Sequence, residues 1–239
     1  MLTCYETNHP FLIMKKSFLL FAIALLATQL HAESKSPRDD LVTRVETCEA
    51  ILQEFMYHPE TAIPAPVLQR ARAIVILNQF KAGFLLGIKD GYGVILAKRS
   101  DGHWSVPVLI SAGETSLGLQ VGARSIETIL VITDENTPRL LFNHRFNVGV
   151  DAKAVAGPKA AEAESDNRPI IDAPVLVYTK SAGLFAGATV KAGYISRNDD
   201  ANRILYNTQY TMPELLYSDW VTPPGEVRPL MDLLQKLAP

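Results

Sequence analysis

Histidine, cysteine, serine and the acids are the side chains that most often carry out reactions, and their spacing here forms no recognised reactive set. Beyond residue 32 stand three histidines, His58, His103 and His144. His58 precedes a proline, His103 lies in a turn ahead of Trp104, and His144 sits between Asn143 and Arg145. No two of them have metal-ligand spacing. The stretch Gly113-Glu114-Thr115-Ser116-Leu117-Gly118 is one residue too long for the G-x-S-x-G elbow, and Gly91-Tyr92-Gly93 lacks the third glycine of a dinucleotide loop. Glu114 and Asp151 are carboxylates that nothing in the sequence brings together. The residues therefore predict a chain without catalysis, metal or cofactor.

Groups suited to binding are better represented. Phe84, Tyr92, Trp104, Phe185 and Tyr194 offer apolar, interface-tolerant surface, and Lys81, Lys89, Lys98, Arg99, Lys180 and Lys191 offer cations for anionic headgroups. The formal net charge of -2 removes the electrostatic case for a nucleic-acid partner, which requires a basic face or a basic total.

The elements that must position these groups fall into three regions. The first is helical from Pro37 to Tyr57: Ser36 can cap, Pro37 suits the first turn, and Leu41, Val45, Cys48, Leu52 and Phe55 recur at helical spacing. A shorter helix is expected around Ala65 to Ala71. The second region, Ala73 to about Ile195, holds short branched runs that read as strands: Ala73 to Leu77, Val94 to Leu96, Val106 to Ile110, Ile129 to Ile132 and Val175 to Tyr178. Ser100-Asp101-Gly102 reads as a hairpin turn. Of 14 glycines, 13 fall between Gly83 and Gly193, which places the sharpest bending and closest backbone approach in this region. Glycines four apart, Gly83/Gly87, Gly118/Gly122 and Gly183/Gly187, would open bare strips on one face if each pair shared a strand. The segment Ala154 to Asn167 reads as an exposed loop. The third region, after Asn207, is proline-rich and closes in a helix carrying Val227, Leu230, Leu233, Leu234 and Leu237. The expected fold is α+β: a strongly curved antiparallel β-sheet or partial barrel, glycine-rich, packed with N-terminal and C-terminal helices.

Ahead of these regions, Met14 is followed by Lys15 and Lys16, an apolar run from Phe18 to Ala27, and Thr28 to Ala32. A positive start, a short apolar core and a small residue before a polar stretch is the order of a secretory signal. The core is well short of the roughly 20 residues that a spanning helix requires. Residues 1–13 are expected to be an extension ahead of the true start, 14–32 the signal, and 33–239 one domain of about 207 residues. Removing the signal leaves Cys48 as a lone thiol, so no internal disulfide is expected. The expected compartment is periplasmic or extracellular.

Several ordered motifs then converge. Lys81-Ala82-Gly83-Phe84, Gly91-Tyr92-Gly93-Val94, Asp101-Gly102-His103-Trp104-Ser105-Val106-Pro107 and Gly118-Leu119-Gln120-Val121-Gly122 closely resemble the SYLF domain. Gly149-Val150-Asp151-Ala152, Ala156-Gly157-Pro158 and Tyr178 to Gly187 are similar to that family's later motifs, in order. The resemblance covers nearly the whole chain beyond residue 32. It implies a lipid-binding module, described in eukaryotic relatives as binding phosphoinositides and in some fungal members actin filaments, with bacterial members commonly exported. No actin partner is expected in an exported protein. The expected partner is an anionic phospholipid held by the glycine-rich sheet and its flanking lysines. The alternative is an envelope protein seated in the same surface.

Overall fold

Acidic residues at the start of an apolar helical stripe set the first element. In the computed structural model, which describes residues 36–84, 86–117, 122–142, 145–147, 154–156, 173–181 and 193–239, α1 runs Pro37–Tyr57. Asp39 and Asp40 lie in its first turn, where the helix dipole favours negative charge. Leu41, Val45, Cys48, Leu52 and Phe55 are buried along one stripe, and the helix stops ahead of His58-Pro59. Residues 1–35, on which the expected signal falls, lie outside the described residues. The short α2 is Ala65–Gln69.

Eight strands form one sheet: β1 Ala73–Phe84, β2 Leu86–Ala97, β3 Val108–Leu117, β4 Gly122–Ile132, β5 Arg145–Asn147, β6 Ala154–Ala156, β7 Val175–Ser181 and β8 Tyr194–Arg197. Their order is β5-β8-β3-β2-β1-β4-β7-β6. Seven strands are antiparallel neighbours in a curled half-barrel, and β6 adds to β7 in parallel. Within it, β4-β1-β2-β3 has Greek-key order. The expected curved antiparallel sheet with terminal helices is what the chain forms. Two expectations need correction. The strands at its centre are 10 to 12 residues long, not short runs, because pairing on both sides carries lysines and glycines into the ladder despite their poor strand propensity. Ala154–Ala156, read as loop, pairs with Val175–Val177. The rest of that expected loop, 157–167, lies outside the described residues.

The remaining helices are α3 Thr137–Leu140, α4 Asp199–Tyr206, α5 Met212–Tyr217 and α6 Arg228–Leu237, the last preceded by a 3-10 turn at Gly225–Val227. Helix α1 packs against α4, α6, β1 and β2. The Cys48 thiol donates to the Ile76 carbonyl at 3.8 Å, and complete burial pushes its pKa up to about 12, which makes it an inert core group. At the start of β1 and the end of β2, which pair, the sheet is buried on both faces: Ala73 to Leu77 and Val94 to Ala97 are all at 0% exposure. One face lies under α1. On the other, Val75, Leu77, Ile95, Ile110 and Leu130 are equally buried on the sheet's own curl.

The closeness of that curl explains two glycines. A Cβ at Gly93 would stand 2.2 Å from the Ile76 carbonyl oxygen and 2.7 Å from Leu77 Cδ2. At Gly91 it would stand 2.4 Å from the Asn78 oxygen and 2.9 Å from Gln79 Cγ. Both glycines face a bulky cross-strand partner, Leu77 and Gln79, and only hydrogen fits beneath it.

Candidate functional site

Six members of the expected site, Trp104, Lys98, Arg99, Tyr92, Lys180 and Tyr194, are held by the protein's own groups. The Trp104 ring is 2% exposed, and its Nε1 donates to the Ala238 carbonyl at 2.9 Å. Lys98, its bridge partner, donates to the carbonyls of Ala238 and Pro239 and lies 5.9 Å from the Trp104 ring. Arg99 donates to the Ser218 carbonyl at 3.2 Å and pairs with Asp101 at 3.1 Å. Trp104 and Lys98 fasten residues 238–239, and Arg99 fastens Ser218, onto the β2–β3 connection. There Gly102 takes φ +80° and donates to the Arg99 carbonyl at 3.0 Å, as the expected hairpin turn requires.

Tyr92, Lys180 and Tyr194 lie further along the sheet. Tyr92 accepts from Asn78 Nδ2 at 3.2 Å and carries the Arg44 guanidinium 5.1 Å above its ring. Lys180 pairs with Glu54 of α1. Partial burial beneath α1, with Glu54 adding and Lys180 opposing, raises the Glu127 carboxyl above the usual range. Tyr194 lies against Gly113, where a Cβ would stand 2.5 Å from its hydroxyl, and Arg145 stacks 4.2 Å from its ring centroid. Phe185 and Lys191 lie outside the described residues.

The expected residues therefore do not form one site. Lys98 follows the last residue of β2 and Lys89 lies near its first, so the two stand about 30 Å apart at roughly 3.3 Å per residue. Trp104, Lys98 and Arg99 are gathered in a structural clasp near the end of β2.

What the register does bring together is a different set at the far end of the sheet. Lys81 stands opposite Lys89 on one side and Arg124 on the other, and Lys89 opposite Glu114. Two residues on, Gly83 stands opposite Gly87 and Gly122. Of the glycines four apart, Gly83 and Gly87, expected to share a strand, instead face one another across the β1–β2 hairpin, and Gly118, Gly183 and Gly187 lie outside the described residues. Interleaved rows place Ala82 opposite Ile88 and Ala123, and Phe84 opposite Leu86. Directly opposed like charges destabilise a sheet, and this row sets three cations beside one acid.

Two positions preceding that row, Gln79 is fully buried, and neither its amide nitrogen nor its amide oxygen has a hydrogen-bond partner. A buried amide left so costs about 1–3 kcal/mol. Replacing Gln79 by leucine should raise the unfolding free energy by about 1 kcal/mol, on the same reasoning. Chemical denaturation checks this, and a loss of stability would show that the amide is a structural partner.

Gln79 and Arg124 were not among the expected site residues. Their signal lay in the register, which aligns Gln79 with Gly91 and Ile126 and Arg124 with Lys81. No group of three or more His, Cys, Asp or Glu positioned for a metal occurs among the described residues, and no helix among them is long and apolar enough to cross a membrane.

Comparison with known proteins agrees with the motifs. A family model described as Ysc84, Las17-binding protein actin regulator, matches residues 113–237. Protein YSC84 of Saccharomyces cerevisiae is 31% identical over 206 residues, 83% of this chain and 44% of that protein. LAS seventeen-binding protein 3 of the same yeast is 31% identical over 186 residues, covering 77% of this chain and 40% of that one. The human SH3 domain-containing YSC84-like protein 1 is 27% identical over 202 residues, 82% of this chain and 58% of its own. The chain spans about two fifths of the yeast relatives and under three fifths of the human one. With the ordered motifs, the curled sheet and these matches together, the chain belongs to the Ysc84 family of SYLF-domain proteins.

Proposed function

We propose that this chain is an exported, non-catalytic protein that binds anionic phospholipid membranes through the far end of its sheet. The observation that carries the proposal is the register row of Lys81, Lys89 and Arg124 beside the glycine row Gly83, Gly87 and Gly122. Successive residues of a strand alternate between its faces. The cationic and glycine rows therefore share one parity, and Ala82, Ile88, Ala123, Phe84 and Leu86 share the other. A sheet end that sorts charge from apolar residues suits a lipid interface, where each lysine or arginine near an anionic surface contributes about 1 kcal/mol. Export is supported by the order of residues 15–32 in the sequence.

The test is co-sedimentation with phosphatidylglycerol vesicles and with phosphatidylcholine vesicles, at low and high salt, using protein purified from cells. Pelleting is expected with phosphatidylglycerol at low salt and should fade at high salt as charges are screened. The triple variant K81Q/K89Q/R124Q should bind about 100-fold more weakly, from roughly 1 kcal/mol per lost cation. Wild-type protein that stays in the supernatant at low salt would remove the lipid reading. N-terminal sequencing of the same preparation is expected to begin near Glu33, and a first residue at Met14 would remove the export reading.

A second reading, binding to another protein, is favoured by one surface. Trp220 is 59% exposed and stacks 5.3 Å from Tyr210, and Tyr217 is 41% exposed and meets Phe142 at 6.0 Å. Aromatic pairs left on the surface are common anchors of protein interfaces. One stoichiometric partner captured from envelope extract and lost with Trp220→Ala, in protein that does not pellet with vesicles, would favour this reading.

A further inference from the structure

The end of the sheet opposite the proposed lipid surface carries a second cationic feature. A cavity of about 380 Å³ is lined by Gln69, Arg70, Ala71, Arg72, Lys98 and Thr133. Its position follows from the backbone. Arg70 caps α2, and its N–H and that of Ala71 occupy the Val67 and Leu68 carbonyls at 3.2 and 3.1 Å. Two of the carbonyls that end the helix are thus satisfied within it. Ala71 is buried at 1% exposure and anchors the segment, which leaves Arg70 and Arg72, its two neighbours in sequence, exposed.

Arg72 then extends the β1 ladder by one residue. Its N–H donates to the Ile132 carbonyl at 2.7 Å, and its carbonyl accepts from Lys98 N–H at 2.8 Å. This brings Arg72 between Lys98 and Thr133 at the mouth of the cavity. Two guanidinium side chains line the cavity beside Lys98, whose ammonium is held by the Ala238 and Pro239 carbonyls of the clasp, and the carboxylate paired with Arg72 is Glu135, 4.0 Å from its Nε with both side chains more than half exposed. A pair at that separation and exposure neutralises little. Cations placed side by side across a ladder repel, so the arrangement is relieved by an anion carrying more than one charge. Guanidinium pairs favour phosphoryl oxygens through two parallel N–H···O bonds, and the volume suits a small ligand.

We propose that this cavity is a binding site for a phosphoryl group, separate from the lipid surface and independent of it. Arg70 and Arg72 grip the phosphoryl oxygens, Lys98 adds positive charge from the clasp side, and the Gln69 amide supplies a neutral polar group at the rim. The phosphoryl group comes either from a soluble phosphate compound or from a lipid headgroup that reaches this end of the sheet.

The experiment titrates pyrophosphate into the full-length exported protein at physiological salt, read by calorimetry and by thermal unfolding. Saturable binding is expected, with a midpoint that rises with pyrophosphate concentration. The variant R70Q/R72Q should lose at least about tenfold in affinity, as two charge-assisted contacts are removed. R228Q/K236Q, which removes the same charge from α6, should bind as the wild type does. Both pairs are exposed, and circular dichroism verifies that each variant is folded. Absence of saturable binding in the wild type, or an equal loss in both variants, would overturn the proposal. Phosphatidylglycerol vesicles then separate the sources. If R70Q/R72Q also pellets less, the phosphoryl group is a headgroup; if it pellets as the wild type does while pyrophosphate binding is lost, the ligand is soluble.

Discussion

Replacing Asn202 by leucine is expected to lower the unfolding free energy by about 3–5 kcal/mol, because the buried N–H and carbonyl of Leu109 lose their partner at once. Asn202 is 2% exposed on α4. Its Oδ1 accepts from Leu109 N–H at 2.8 Å, and its Nδ2 donates to the Leu109 carbonyl at 2.9 Å and to the Asn198 carbonyl at 2.9 Å. Pairing of β3 with β8 ends at Ile110 opposite Arg197. One residue further, Leu109 therefore turns its donor and acceptor to a side chain in place of a strand. Asn202 continues the ladder across the junction of sheet and helix. Leucine leaves the Leu109 N–H and the Leu109 carbonyl buried without partners, while the Asn198 carbonyl keeps the Asn202 backbone N–H at 3.1 Å. For a domain of this size the midpoint of thermal unfolding should fall by about 10 °C, at roughly 2–4 °C per kcal/mol. Asn202→Asp provides a sharper control: it keeps shape and acceptor but sets a carboxylate against two carbonyls, and should be no more stable than the leucine variant near neutral pH. A fall under 1 kcal/mol for Asn202→Leu would show that water replaces the amide.

The second large effect concerns Trp104. Its replacement by alanine should cost about 3–5 kcal/mol, as expected for deletion of a buried tryptophan. Trp104→Phe separates the contributions. It retains most of the packing but leaves the Ala238 carbonyl without its 2.9 Å donor, and should cost about 1–2 kcal/mol. Chemical denaturation gives both values. Vesicle binding by the folded fraction of either variant should match the wild type, since the ring is buried at the end of β2 away from Lys81 and Lys89. A Trp104→Phe protein of wild-type stability that fails to pellet would return Trp104 to the lipid surface and dismantle the clasp.

Both side chains show how far sequence reading reaches in this chain. Trp104 in Asp101-Gly102-His103-Trp104 stands next to a turn and near Lys98 and Arg99, so its residue type and neighbours fit an interfacial anchor. Burial under the final turns of the chain depends on a contact 134 residues away, to which local pattern is blind. The same holds for Lys98 and Arg99, whose carbonyl partners come from residues 238, 239 and 218. Helices α4 and α5 were absent from the expected elements although their caps were present. Asn198 ahead of two aspartates accepts from Ala201 N–H at 3.2 Å, and Thr211 with Glu214 forms a capping box. Both helices are shorter than the usual window for periodicity, which is why turn residues and proline dominated the reading there.

Residue type and spacing alone determined the long helix Pro37–Tyr57, the apolar cores of the central strands, the hairpin turn at Gly102, the α+β class and, through ordered motifs, the family. Each of these is written in local chemistry: an apolar period, a residue that tolerates positive φ, a cap, a proline that cannot continue a helix. Only the tertiary structure decided which charges meet. Lys81, Lys89 and Arg124 become neighbours through the register of three strands, and Arg72 and Lys98 through one further residue of ladder at the other end. Pairing of strands distant in sequence is fixed by the buried apolar residues at their centre, and the cations at both ends are carried into place by that core.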